Sequence, residues 1–475
     1  MLTRLEVHGF KNLLDVDIAF GPFTCIAGAN GVGKSNIFDA IEFLSYLATD
    51  TLVEAAQRIR GSSGSRGGDP RDLFWDGYRD HQHRIRLAAE MIVPAEVEDD
   101  LGTPAEATTT FLRYEVTLGF EPPVKEGSIG RLSLLGEELR HITRGESARH
   151  LRFRHSAGKF RNAVVRGERR GGAFLSTESR DTGTVINVHG DGGSRGKPQP
   201  RAASRAGRTV LSTVTTNDYP TILAARREMQ SWRRLALEPS ALRAPDGFAD
   251  PRSLAADGRH LAATLYRIAN EAGGDDQKGD PEAVYARVAG RLSDLVGVRV
   301  RDVVVELDRV REVFTLFLEE RGDLRLPARA LSEGTLRFLA LCVLLEDPTF
   351  TGLICMEEPE NGIHPANLSA MLDLVRDLAV DPLGSPGETN PFRQVIVNTH
   401  SPWVVQLCDP ADLLLADVRP RPGPDGTVIR SLSLLPYRDS WRALPGQPTF
   451  SEADVVAYLA APPDAQLRLP FDLAE

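Results

Sequence analysis

Cysteine, tryptophan and long apolar runs are scarce in this 475-residue chain. The four cysteines, Cys25, Cys342, Cys355 and Cys408, form no CxxC or Cys/His spacing, which excludes a zinc ribbon. Their isolation points to small buried apolar residues of a reducing compartment. No apolar stretch approaches the roughly 18 residues that a membrane-spanning helix needs, so no membrane partner is expected. The start, Met1-Leu-Thr-Arg-Leu-Glu-Val-His, alternates as a strand does and lacks the basic start and apolar core of a signal peptide, so a cytoplasmic location is expected. An overall excess of positive charge is missing too. The formal net charge of -10 argues against a wholly basic nucleic-acid coat protein but permits a local basic surface. Neither an internal repeat nor a heptad run is present.

What is there is an α/β pattern. Three short strand-like runs, 2–7, 16–20 and 23–27, are separated by turn residues, and the third opens directly into a glycine-rich loop. Residues 35–48 then carry Ile37, Ile41, Phe43, Leu44 and Leu47 at helical spacing. Alternation returns between Ile85 and Leu118. From Arg140 to Arg208 the chain holds 16 Arg plus Lys against 5 Asp plus Glu, so positive charge is concentrated there, and 190–208 reads as a flexible loop. Helical patterns dominate 220–296, at 221–237, 260–272 and 282–296. A strand pair follows at 300–306 and 313–319. Helices at 334–346, 366–379 and 403–408 then alternate with apolar strands at 352–356, 394–398 and 412–415, the signature of a parallel sheet covered by helices. The segmentation expected is 1–120, an N-terminal lobe; 121–219, a basic β-rich insertion; 220–300, a helical subdomain; 301–417, a C-terminal lobe; and 418–475, a tail.

Four motifs carry chemistry. Gly28-Ala-Asn-Gly-Val-Gly33-Lys34-Ser35 matches the G-x-x-x-x-G-K-[ST] phosphate loop, in strand-to-helix context. Its small residues let backbone N–H groups curl around phosphate oxygens, and the following helix adds a favourable dipole. Asn30, Gly31, Gly33, Lys34, Ser35 and Asn36 are the candidate nucleotide-binding residues; Lys34 should reach the β- and γ-phosphates and Ser35 should ligate Mg²⁺. Gly352-Leu-Ile-Cys-Met-Glu357-Glu358-Pro359 is an apolar strand ending in paired carboxylates. That is the Walker B requirement of one carboxylate for the Mg²⁺ shell, Glu357, and one general base, Glu358.

Leu331-Ser332-Glu333-Gly334-Thr335-Leu336-Arg337 opens an apolar helix. A bare N-cap at Ser332 would explain it, but its place between the two Walker motifs favours an anion-facing helix start in which Ser332 and Gly334 meet nucleotide. Gln394-Val-Ile-Val-Asn-Thr399-His400-Ser401-Pro402 is a second buried strand, ending in a histidine where a γ-phosphate sensor would emerge.

This order of motifs, with Phe10-Lys-Asn near the start and Glu357-Glu-Pro-Glu-Asn-Gly-Ile-His-Pro365, resembles the RecF/SMC-like branch of ABC ATPases, and more closely the prokaryotic ATPases related to the OLD family. Leu254-Ala-Ala-Asp-Gly-Arg-His-Leu-Ala also looks like a segment of that group. The resemblance covers about 1–120 and 220–415. It implies an α/β P-loop ABC-type head with a mixed sheet, an antiparallel β lobe and a helical insertion, using ATP and Mg²⁺. It further implies that Ser332 and Gly334 serve the nucleotide of an opposing head in a homodimer or higher oligomer, that Glu358 activates water, that His400 reads the γ-phosphate, and that 361–364 links the two sites. Glu357 stands where the family has aspartate, one methylene shorter. Glu333 and Thr335 depart from transporter signatures. Gln82 is only a weak Q-loop candidate. Some relatives carry a TOPRIM nuclease that needs an Asp-x-Asp pair; the one such pair, Asp15-Val-Asp17, precedes the phosphate loop, and Asp412 and Asp417 form none, so nuclease activity would belong to a separate partner.

The function expected is a nucleotide-gated dimeric ATPase switch controlling a partner effector, with anti-phage defence suggested by the family. Two alternatives stand beside it: a DNA-repair ATPase holding DNA through Arg140–Arg208, where aromatic interleaving is sparse, and a non-hydrolysing nucleotide sensor.

Overall fold

In this computed structural model, residues 60–68, 77–83, 123–129, 168–171, 182, 193–196, 204, 272–279, 297–299, 321, 323, 423–426 and 461–475 are left out of the description and all others are described. The described chain forms two units. One comprises Met1–Arg233, Asp381–Pro386 and Asp409–Glu475; the other comprises Arg234–Val380 and Gly387–Cys408.

In the first unit the alternating segments build an antiparallel sheet of eight strands. Their order across the sheet is Gln199–Ala202, Gly183–Val188, Ala173–Arg180, Arg131–His141, Phe111–Glu121, Arg84–Ile92, Leu2–His8 and Val16–Ala19. The inward positions Leu5, Val7, Leu87, Tyr114 and Val116 are at most 1% exposed, as half-buried strands require. The sheet runs unbroken across the expected boundary at residue 120, with Leu112 opposite His141 and Glu121 opposite Arg131. At its centre lies Glu137, whose carboxylate accepts from the Val210 and Leu211 N–H groups (2.6 and 2.9 Å) and from the Tyr114 hydroxyl (3.0 Å). These bonds tie the 209–211 segment to the strand.

The same unit holds Phe23–Ala27, buried throughout, paired in parallel with Leu413–Pro422, which pairs antiparallel with Val428–Pro436. The helix Ser35–Leu47 follows the phosphate loop, and Ile37, Phe38, Ile41, Phe43 and Leu44 are buried. Full burial of each such side chain contributes about 1.5–3 kcal/mol.

In the second unit Gly352–Glu357 and Arg393–Thr399 run parallel, with Met356 beside Val397 and Glu357 beside Asn398. The strand pair is longer than expected, Val300–Asp308 against Val313–Glu320, and carries the short strand Arg325–Pro327. The helix Pro281–Val296 packs on Val300–Asp308 and on the helix Glu333–Glu346, the candidate signature helix. The signature helix buries Leu336, Phe338, Leu339, Leu341, Val343 and Leu344, so it is an interior helix rather than an amphipathic one.

Two local expectations are corrected. The span 190–208 is not all loop, because Gln199–Ala202 pairs with Gly183–Val188. The helix expected over 221–237 is Pro220–Gln230, ending where the Ser231 hydroxyl donates to the Glu228 carbonyl. All four cysteines are buried and free, and burial pushes the Cys342 thiol up to about 12. Among the described residues no helix is long and apolar enough to cross a membrane.

Candidate functional site

The phosphate loop sits between a fully buried strand and the helix that begins at Ser35. Among the described residues, the N–H groups of Asn30, Gly31, Val32 and Gly33 donate to no acceptor. Four consecutive unused donors beside a helix start fit phosphate oxygens. Lys34 is buried, and its ammonium bridges the loop by donating to the Gly28 and Ala29 carbonyls at 2.7 and 2.8 Å. Ser35 occupies the first helical position and is half-buried.

The brace behind this loop is a part of the site that sequence reasoning missed. Asn12 donates through Nδ2 to the Val32 carbonyl at 3.0 Å and accepts from Asn36 Nδ2 at 2.6 Å. Gly33 lies at φ +101°, and a Cβ there would stand 2.2 Å from Asn12 Nδ2, so only glycine meets both constraints. Asn36 is thus engaged in bracing the loop. Lys11 forms an ion pair with the fully buried Asp39 at 2.7 Å, and Phe10 stacks on Phe43 with centroids 5.9 Å apart. Phe10-Lys-Asn is the signal that could have revealed this, because each residue anchors the turn to the helix after the loop.

The other candidate residues belong to the second unit. Glu357 ends its strand and pairs with Arg234 Nη2 at 2.5 Å. Glu358 follows with φ +45°, a left-handed backbone that costs a glutamate about 1–2 kcal/mol. Its N–H donates to the Asn398 carbonyl at 3.0 Å on the neighbouring strand. The Glu358 carboxylate meets His400 Nδ1 at 2.6 Å through one oxygen and accepts from Asn361 Nδ2 at 2.7 Å through the other. A carboxylate offers about four lone-pair positions, so capacity for a further donor remains. Glu360 is buried, accepts from the Thr399 hydroxyl, and has its pKa raised by burial.

Ser332 is the N-cap of the signature helix, accepting from the Thr335 N–H at 3.2 Å. Arg337 on that helix donates to the Asn361 carbonyl. A Cβ on Gly334 would lie 3.3 Å from the Gly362 carbonyl, so helix start and carboxylate turn are in close approach. His364 caps the short helical turn Pro365–Asn367, accepting from Ala366 N–H at 3.2 Å. Leu237, Arg337, Glu357, Glu358 and Asn361 line a cavity of about 160 Å³.

Glu357, Glu358, His400, Ser332 and Gly334 therefore belong to one unit, and Asn30, Gly31, Gly33, Lys34, Ser35 and Asn36 to the other. Gln82 lies outside the described residues. The Asp-x-Asp carboxylates are engaged, Asp17 in an ion pair with Arg4 at 2.6 Å and Asp15 in one with Arg421 at 3.5 Å, with His8 Nδ1 3.3 Å from Asp15.

Residues 191–405 match a family model described as "AAA domain, putative AbiEii toxin, Type IV TA system", and residues 4–82 match a second model described as "AAA domain". Over 61 residues the chain is 36% identical to the DNA replication and repair protein RecF of Phocaeicola vulgatus, covering 13% of this chain and 16% of that protein. Over 44 residues it is 48% identical to the OLD nuclease of Thermus scotoductus, covering 9% of this chain and 8% of that protein. The chain thus spans about a sixth or less of the length of these curated relatives. A solved SmcHead bound to the C-winged helix domain of ScpA aligns over 92% of this chain and 97% of that one, at 15% identity and a TM-score of 0.44. The two AAA domain models thus match the segment that carries the phosphate loop and the segment that carries the paired carboxylates and His400, and short stretches of the chain are similar to RecF and to OLD nuclease.

Proposed function

We propose that this protein binds ATP with Mg²⁺ at the phosphate loop, hydrolyses it to ADP and phosphate, and works as a nucleotide-gated switch between paired heads that controls a partner effector in anti-phage defence. The observation that carries this reading is the hydrogen-bond chain from the signature helix to the general-base candidate. Arg337 donates to the Asn361 carbonyl, the Asn361 amide donates to Glu358, and Glu358 meets His400. Any contact made at Ser332 and Gly334 is linked through that chain to the carboxylate that orients water, which is what coupling of head engagement to hydrolysis requires.

Mg²⁺ supplies charge neutralisation to the phosphates when bound. Ser35 is the residue of the loop that would hold it, and Glu357, paired with Arg234, is the carboxylate candidate of the second unit. A separate effector is favoured over direct DNA binding because the basic stretch is partly neutralised in place: Arg140 pairs with Glu138 at 2.5 Å and Arg180 with Glu178 at 2.8 Å.

Glu358→Gln is the test. It keeps ATP binding, loses phosphate release, and accumulates an ATP-dependent dimer in light scattering. Undiminished phosphate release would remove Glu358 from the chemistry, and a Glu358→Gln chain that stays monomeric with saturating ATP and Mg²⁺ would remove the paired-head switch.

A further inference from the structure

The first unit contains a cavity of about 570 Å³, within the range of small-molecule sites, and no residue of the phosphate loop lines it. Its walls are unusually cationic. Arg4, Arg149, Arg152 and Arg442 face two carboxylates, Asp17 and Glu90, and both carboxylates are already engaged. Asp17 receives the fork of Arg4 at 2.8 and 2.6 Å. Glu90, 2% exposed, receives Arg4 at 3.2 Å and His150 Nδ1 at 2.8 Å.

The other guanidiniums have no carboxylate at ion-pair distance among the described residues. Arg442 is 3% exposed, yet its donors reach only neutral acceptors: the Ala19 carbonyl at 3.0 Å, the Ala411 carbonyl and the Thr24 hydroxyl at 2.7 Å. Burial lowers its pKa to about 9. Arg152 is half-buried and makes no hydrogen bond or ion pair of its side chain among the described residues; burial, and then the charge of Arg4, lower its pKa, while the more distant charges of Asp17 and Glu90 offset part of that. Buried guanidiniums ordinarily come paired, because an uncompensated charge in a low-dielectric wall is costly. Gln447 adds a buried side-chain oxygen that accepts no hydrogen bond.

We propose that this cavity is a second anion site, distinct from the phosphate loop, that takes a phosphorylated small molecule of nucleotide size. Arg152 supplies the planar fork that phosphate oxygens accept in pairs, Arg442 and Arg149 add charge, and Gln447 accepts from a hydroxyl or amino group of the ligand. The cavity is too small to admit a nucleic-acid duplex.

The test uses the full chain carrying Lys34→Ala, which weakens the phosphate loop and keeps this proposal separable from ATP binding there. Calorimetric titration at low salt with inorganic pyrophosphate and with adenosine 5′-monophosphate is expected to give dissociation constants below about 1 mM for both. Arg152→Gln weakens both by about tenfold, Arg152→Lys less, and Gln447→Ala weakens only the nucleotide, which separates a phosphorylated metabolite from a free inorganic anion. Because Arg152 makes no hydrogen bond or ion pair among the described residues, its variants are expected to fold, which the thermal midpoint checks. Failure of both probes to bind, or an affinity indifferent to Arg152→Gln, overturns the proposal. Binding of short duplex DNA that depends on Arg152 without binding of either probe overturns it in favour of a nucleic-acid surface.

Discussion

Neutralising Arg234 probes the least expected feature of the site. The carboxylate that should hold Mg²⁺ is held by a guanidinium at 2.5 Å, with side-chain exposures of 22% for Arg234 and 32% for Glu357. Unit charges with centres about 4 Å apart attract by about 4 kcal/mol at an effective dielectric of 20. Exposure, salt and the ordering of two long side chains reduce the net value to about 1 kcal/mol. A metal ion held by Glu357 would displace Arg234 and forfeit that amount. Arg234→Gln is therefore expected to lower the Mg²⁺ midpoint about fivefold in a titration of the chain loaded with a non-hydrolysable ATP analogue. Arg234→Lys, which keeps the charge, should leave the midpoint near the parent's. An Arg234→Gln midpoint that is unchanged would show that Glu357 is no metal ligand, and one that rises would show that Arg234 positions the carboxylate for metal rather than competing with it.

Asn12→Ala removes the bonds to Val32 and Asn36, so a fluorescent ATP analogue should bind several-fold more weakly, with a stability loss of about 1–2 kcal/mol by denaturant titration. Glu137 makes a pH prediction: burial raises its pKa from 4.5 to about 7, so the folded state favours the protonated form. Its contribution to stability is complete below pH 4.5 and is lost as pH rises to about 7, a fall of about 3 kcal/mol that levels off above. Urea unfolding across that range should show the slope in the parent and a flatter profile in Glu137→Gln. Ser332→Ala should destabilise the signature helix by about 1 kcal/mol as a lost cap. It should in addition abolish ATP-dependent dimerisation in the Glu358→Gln background; retention of the dimer would leave Ser332 as a cap alone.

How much of this was legible in the sequence depends on distance along the chain. The strand, loop and helix from Phe23 to Leu47, the cap at Ser332 and the burial of the cysteines follow from neighbours within a few residues, and each was read correctly in kind. The strand Gln199–Ala202 was hidden because it is a sheet edge whose residues are all exposed, so no apolar alternation marks it, and Pro200 is tolerated there for the same reason. Glu137 carries no local mark in the sequence, since its donors come from Tyr114, Val210 and Leu211, far away along the chain. Arg234 was likewise invisible as the partner of Glu357, because an arginine after a helix carries no local mark of what it will pair with.

The backbone at residue 358 supplies the strongest physical argument for a chemical role there. A strand that simply ended in a tight turn would place glycine or asparagine in the left-handed region, as this turn does four residues later at Gly362, with φ +78°. Glutamate stands at φ +45° instead, held by the Asn398 carbonyl behind it and by His400 and Asn361 at its carboxylate. None of these contacts needs a glutamate for the fold alone, since a glycine would relieve the backbone and leave Asn398 its N–H partner. The strain therefore persists for the side chain. Glu358→Gly separates the two contributions: it should make the unit equal or greater in stability while phosphate release disappears, and a marked loss of stability would return residue 358 to a structural role.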